Sequence, residues 1–162
     1  MISFKGNLSG SAEKHEIKFG IKMATIISVI GVIISVPVWL AMLTFGGADN
    51  PILDTIIVSL VLAGPYPTII FLATRSKSFR KKYFHIDVFY DGEFLVSKDY
   101  KGNETFRLAS EATCVKDYGE FYQVFYGIMR FPVCQKDLLV SGTLEEFEAL
   151  FEGKIVRVNE KN

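Results

Sequence analysis

Two long apolar runs set the pattern of this chain. From Met23 to Phe45, MATIISVIGVIISVPVWLAMLTF holds 23 residues without a charge. At 1.5 Å per helical residue that run reaches about 35 Å, enough to cross a hydrocarbon core of about 30 Å. From Thr55 to Thr74, TIIVSLVLAGPYPTIIFLAT adds 20 more uncharged residues. Between them Gly46-Gly47-Ala48-Asp49-Asn50-Pro51 is built from turn formers. The pattern predicts a transmembrane hairpin over residues 21–74, with helices over about 22–45 and 52–74. A signal peptide fits poorly, because a polar segment precedes the first run and the run exceeds an apolar core of about 7–15 residues. Two buried soluble-core helices would need more surrounding protein to cover them.

After the second run the period changes from helical to alternating. His85–Tyr90 and Glu93–Ser97 flank Asp91-Gly92, a strong hairpin signal. Lys101-Gly102-Asn103 turns the chain into Glu104–Leu108, and Ala112–Tyr118, Phe121–Tyr126 and Ile128–Phe131 follow with glycines between them. This spacing predicts an antiparallel meander of five or six strands within a domain over residues 83–153. Thr143 and Glu146 match a capping box, Leu144, Phe147, Leu150 and Phe151 share one face, and Gly153 is placed to stop the helix. A closing helix over 144–152 is expected, then a tail over 154–162. The N-terminal segment, 1–20, opens with alternating Ile2–Leu8, which can add a strand to the sheet.

Charge orients the hairpin. The second run is followed by Arg75, Lys77, Arg80, Lys81 and Lys82, and Lys14, Lys18 and Lys22 precede the first, whereas the connector has Asp49 and no base. By the positive-inside rule both termini are expected on the cytoplasmic side of the membrane and the connector outside. Overall the 162 residues are neutral, 49% hydrophobic and of mean hydropathy +0.27, with no long basic stripe for nucleic acid. Pro37 and Gly64-Pro65-Tyr66-Pro67 are expected to bend the helices. No charge lies within either run, so nothing there suits ion conduction.

Phe94-Leu95-Val96, Thr105-Phe106-Arg107-Leu108, Tyr122-Gln123-Val124-Phe125 and Phe131-Pro132-Val133 with Gln135-Lys136, set after a membrane hairpin and before a capped terminal helix, resemble the YcxB-like proteins of bacteria. The resemblance implies an α+β membrane protein whose C-terminal part is a small pleckstrin-homology-like sheet closed by a helix. It implies no enzymatic activity.

The residues offer little chemistry. His15 and His85 belong to no metal-ligand spacing, and Cys114 and Cys134 form no C-x-x-C pair and read as reduced, small hydrophobes. Carboxylates fall at turns and strand ends, and no phosphate-loop, dinucleotide or nucleophile-elbow motif is present. No enzyme, cofactor or metal is therefore expected. The basic cluster Arg75, Lys77, Arg80, Lys81 and Lys82 sets topology and is a candidate contact for anionic lipid headgroups. Tyr122 and Tyr126 share one strand face, which is either core packing or an aromatic surface for a protein partner or a second copy. The expected function is a non-enzymatic, membrane-anchored scaffold or binding module. The alternative is a small immunity protein whose hairpin blocks a toxin in the bilayer.

Overall fold

In the computed structural model, residues 1–46, 50–63 and 65–158 are described. The centre of the expected connector, Gly64 of the expected bend and the end of the expected tail lie outside them. The chain divides into a unit of residues 15–79 and a unit formed by residues 1–14 together with the chain from Arg80 onward.

The first of these is helical. Helix α1, Gly10–Phe45, is 36 residues long, begins in the other unit and runs through Pro37 as one helix. It is the one helix among the described residues long and apolar enough to cross a membrane, and none of its most apolar 18-residue stretch is buried. Within the helix that the sequence predicts over 52–74, the described residues are helical on both sides of Gly64, as α2 (Pro51–Ala63) and α3 (Pro65–Arg75). Hydroxyls along these helices turn back onto their own carbonyls: Thr25 to Ile21 at 3.0 Å, Thr44 to Leu40 at 2.7 Å and Thr55 to Pro51 at 2.7 Å. Such i−4 bonds satisfy a helical hydroxyl without an outside partner.

The second unit is built from β-strands. Strands β1 (Ile2–Asn7), β2 (His85–Tyr90), β3 (Phe94–Lys98), β4 (Glu104–Leu108) and β9 (Leu139–Ser141) form an antiparallel sheet in the order β4-β3-β2-β1-β9. Helix α4, Lys77–Tyr83, leads into β2. A second sheet runs β10 (Ile155–Arg157), β5 (Cys114–Asp117), β6 (Phe121–Tyr126), with β7 (Met129–Arg130) and β8 (Cys134–Gln135) end to end along the far edge of β6. The single meander expected from the sequence is therefore split. The chain changes sheets through a 3-10 turn at Ala109–Glu111, where buried Ala109 and Ala112 leave room for a sharp corner. The expected tail contributes a strand, since β10 pairs in parallel with β5.

One hydrophobic core joins both sheets. Phe147, on the closing helix α5 (Leu144–Ala149), lies 5.1 Å from the ring of Phe4 on β1 and 5.0 Å from that of Tyr122 on β6. The capping box is formed: Glu146 N–H donates to the Thr143 hydroxyl at 3.1 Å and Thr143 N–H to the Glu146 carboxylate at 3.0 Å. The helix stops earlier than expected, and Gly153 takes the left-handed φ of 75° just beyond it.

Candidate functional site

The register of the first sheet exposes an unusual connection. β1 pairs with β2 from Ile2↔Tyr90 to Asn7↔His85, so the chain leaves the sheet at Asn7 and rejoins it opposite the same residue. His85 Nδ1 lies 3.2 Å from Asn7 Oδ1 across that last pair, so this histidine has a polar partner on the neighbouring strand. The whole of residues 8–84 is an insertion between neighbouring strands. Its root is the candidate site.

The root is fastened by polar contacts on the outgoing side. Buried Gln135 accepts from Ser9 N–H at 2.9 Å and donates to its hydroxyl at 2.9 Å. Glu120 accepts from the Ser11 hydroxyl at 2.5 Å, and the side-chain and backbone donors of Ser11 hold its carboxyl below the usual range. A carboxylate there also meets the positive end of α1. Arg80 closes on Glu13 at 3.2 Å, joining the outgoing and returning segments.

On the returning side lies an aromatic and basic group. Strands β1 and β3 run toward the root and β2 and β4 away from it, so antiparallel pairing brings the β3–β4 turn, residues 99–103, to this end. Asp99 builds that turn by accepting from Lys101 N–H at 2.8 Å, Asn103 N–H at 2.9 Å and the Asn103 amide at 2.7 Å, and the Asn103 amide in particular keeps its carboxyl ionised below the usual range. Tyr100, presented by the turn, meets Tyr83 edge to face at 5.2 Å. Lys82 Nζ sits 4.4 Å from the Tyr100 ring and 5.4 Å from the Tyr83 ring, and Lys101 Nζ 5.7 Å from Tyr100. A hydrogen bond from Tyr83, with the lysine charges behind it, lowers the Tyr100 hydroxyl from its usual pKa.

The five basic residues expected to act together have separate places. Arg75 ends α3 with its guanidinium 4.6 Å from the Phe71 ring, Lys77 and Lys81 are exposed on α4, Arg80 is spent on Glu13, and Lys82 joins the tyrosines. Tyr83, Tyr100 and Lys101 escaped sequence reasoning. Counting hairpin directions from His85 through Asp91-Gly92 would have placed Tyr100-Lys101 at the root.

Tyr122 and Tyr126 do not form a partner surface. Tyr122 is fully buried and Tyr126 is 9% exposed. β6 is a central strand, and both its faces are covered, because Phe121 and Gln123 on the opposite face are also buried. The Gln123 amide donates to the Phe131 carbonyl and accepts from Arg130, which fills the break in the ladder at Pro132. Tyr122 donates to Glu148 at 2.5 Å, and Lys136, over its ring at 4.3 Å, pairs with Asp117 at 2.8 Å. Burial and the neighbouring carboxylate push the Tyr122 hydroxyl well above its ordinary range, so it stays protonated. This network spends its bonds internally. Cys114 and Cys134 are free thiols, the latter buried.

Fold and root together define an α+β protein that carries a long apolar helix as an insertion within an antiparallel sheet. No protein-family model matches the chain, and no curated protein or solved structure is significantly similar to it.

Proposed function

We propose that this chain is a non-enzymatic, membrane-anchored binding or scaffold module, its sheet domain held at the cytoplasmic face of a bacterial inner membrane by a two-helix hairpin. The pairing of Asn7 with His85 carries the reading. Neighbouring strands cannot stand on opposite sides of a bilayer about 30 Å thick, so a chain that crosses in α1 must cross back before His85. Residues 51–75, α2 followed by α3, are the apolar segment left for the return, and if helical throughout they reach about 38 Å. Among the described residues of this unit the buried ones are small, Ala24, Thr55, Ser59 and Thr74, the kind that let membrane helices approach closely. The basic tract after α3 favours the cytoplasmic side for both ends. The internal polar network of the sheet unit favours a module that binds over one that catalyses.

Cysteine labelling tests the topology. In a Cys114→Ser background, with Cys134 shielded by burial, a membrane-impermeant maleimide should label Asn50→Cys on intact spheroplasts and Asn103→Cys only after lysis. The opposite pattern would overturn the reading. A hairpin swap tests the module: with residues 23–74 replaced by an unrelated two-span hairpin, photo-cross-links from exposed sheet positions should keep the same products. Products that disappear with the native hairpin would place specificity in the bilayer instead.

A further inference from the structure

We propose that Lys82, Tyr83, Tyr100 and Lys101 form a seat by which the sheet domain rests on the phosphate layer of an anionic phospholipid bilayer. The inference builds on the anchor reading above and adds the ligand class and the residues.

Three observations converge on this group. The first is chain reach: Tyr83 follows Arg75, the end of the apolar segment, by eight residues, and α4 covers seven of them. At helical rise that is about 12 Å, comparable to the Debye length of about 8–10 Å over which surface charge is felt. The second is composition. Tyr83 is 50% exposed and Tyr100 38%, and an exposed tyrosine has an apolar ring and a polar tip suited to the headgroup region. The third is charge. Three acids of this end are already paired, Glu13 with Arg80, Glu104 with Lys98 at 2.8 Å and Asp99 within its own turn. Lys82 and Lys101 are left to present ammonium donors to phosphate oxygens, held in place by two rings and a rigid turn. The apolar turn tip at Ile128 and Met129, also exposed, lies at the far end of β6 from Glu120 and so points away from the root.

Full-length protein in lipid nanodiscs provides the test. With Trp39→Phe removing the native indole, Tyr100→Trp places a single fluorophore in the seat. In discs of phosphatidylcholine with 30 mol% phosphatidylglycerol, emission from this introduced indole should be quenched by headgroup-level nitroxide lipid. Quenching should fall in pure phosphatidylcholine, and in the anionic discs on adding Lys82→Gln and Lys101→Gln. Each lysine removed should lower the seated-to-lifted ratio about fivefold. Inorganic phosphate should displace the seat no more than chloride of equal ionic strength; stronger displacement would assign the group to free phosphate. Quenching that is indifferent to lipid charge and to both lysines would overturn the proposal. Trp39 in the unsubstituted protein, quenched by lipid brominated on its acyl chains, reports the anchor separately. Trp39 quenched with the seat indole indifferent sinks the seat alone, and Trp39 unquenched sinks the anchor and the seat with it.

Discussion

Phe147 is fully buried where three elements meet, in ring contact with Phe4, Tyr122 and Phe151. Removing its ring leaves a cavity that rigid sheets on either side cannot close, so Phe147→Ala should destabilise the sheet unit by about 3–5 kcal/mol. Tyr122→Phe keeps the ring and loses the hydrogen bond to the Glu148 carboxylate, so it should cost less, about 1.5–3 kcal/mol. Urea midpoints of both variants in mild detergent check that order. A Tyr122→Phe loss equal to that of Phe147→Ala would show that the Glu148 contact does more than satisfy a hydroxyl. At this scale Thr143 and Glu146 were legible, because a capping box joins residues three apart. Tyr122 and Tyr126 were not. Whether an alternating face is core or surface depends on what the rest of the chain lays across it, and here Phe131, Val133 and α5 are brought in from later sequence.

Turns and strands carry the next set of consequences. Asp91 accepts from Phe94 and Glu93 N–H at 2.8 and 3.0 Å, Asp99 from the Asn103 side-chain amide and then the turn's N–H groups, and these bonds hold both carboxyls below their ordinary pKa. A carboxyl lowered in the folded state adds stability that is present above its unfolded pKa of about 3.9 and is lost as pH falls through the folded value. Asp99→Asn should therefore lose less stability than the unsubstituted protein between pH 6 and pH 3, as read from denaturation midpoints at each pH. Thr143→Ala should cost about 1 kcal/mol, since α5 spans only six residues and has few other terminal bonds. β1 is a different case. It lies between β2 and β9, so deleting residues 1–7 strips β9 of its partner and empties the place of Phe4. That truncation should abolish the cooperative melt rather than lower it. The Asp91-Gly92 hairpin and the strands after it could be read because their signals are local. The division into two sheets could not, since it rests on β9 finding β1, and β10 finding β5, across long stretches of intervening chain.

At the level of the whole molecule, the insertion makes a prediction about autonomy. The hydrogen-bonded pair Asn7 and His85 is separated by 78 residues in sequence, yet Glu13 and Arg80, further out along the two segments, are still within 3.2 Å. Residues 8–14 also contribute to the sheet unit, with Leu8 and Ala12 buried in its core and Ser9 held by Gln135. Cutting at Asn7 and His85 would therefore remove part of the core, whereas joining Lys14 to Arg80 through about four glycine and serine residues would keep it. Closing so short a loop adds little entropy cost beyond that of the parent chain. The joined protein should be soluble without detergent, give a β-rich circular dichroism spectrum and melt cooperatively, and it should leave the membrane fraction on cell lysis. Glu13→Ala within it should lower the midpoint by little, as expected for a partly exposed ion pair. If the joined chain instead aggregates or lacks a cooperative melt, residues 15–79 do more than anchor, and the sheet depends on them to fold.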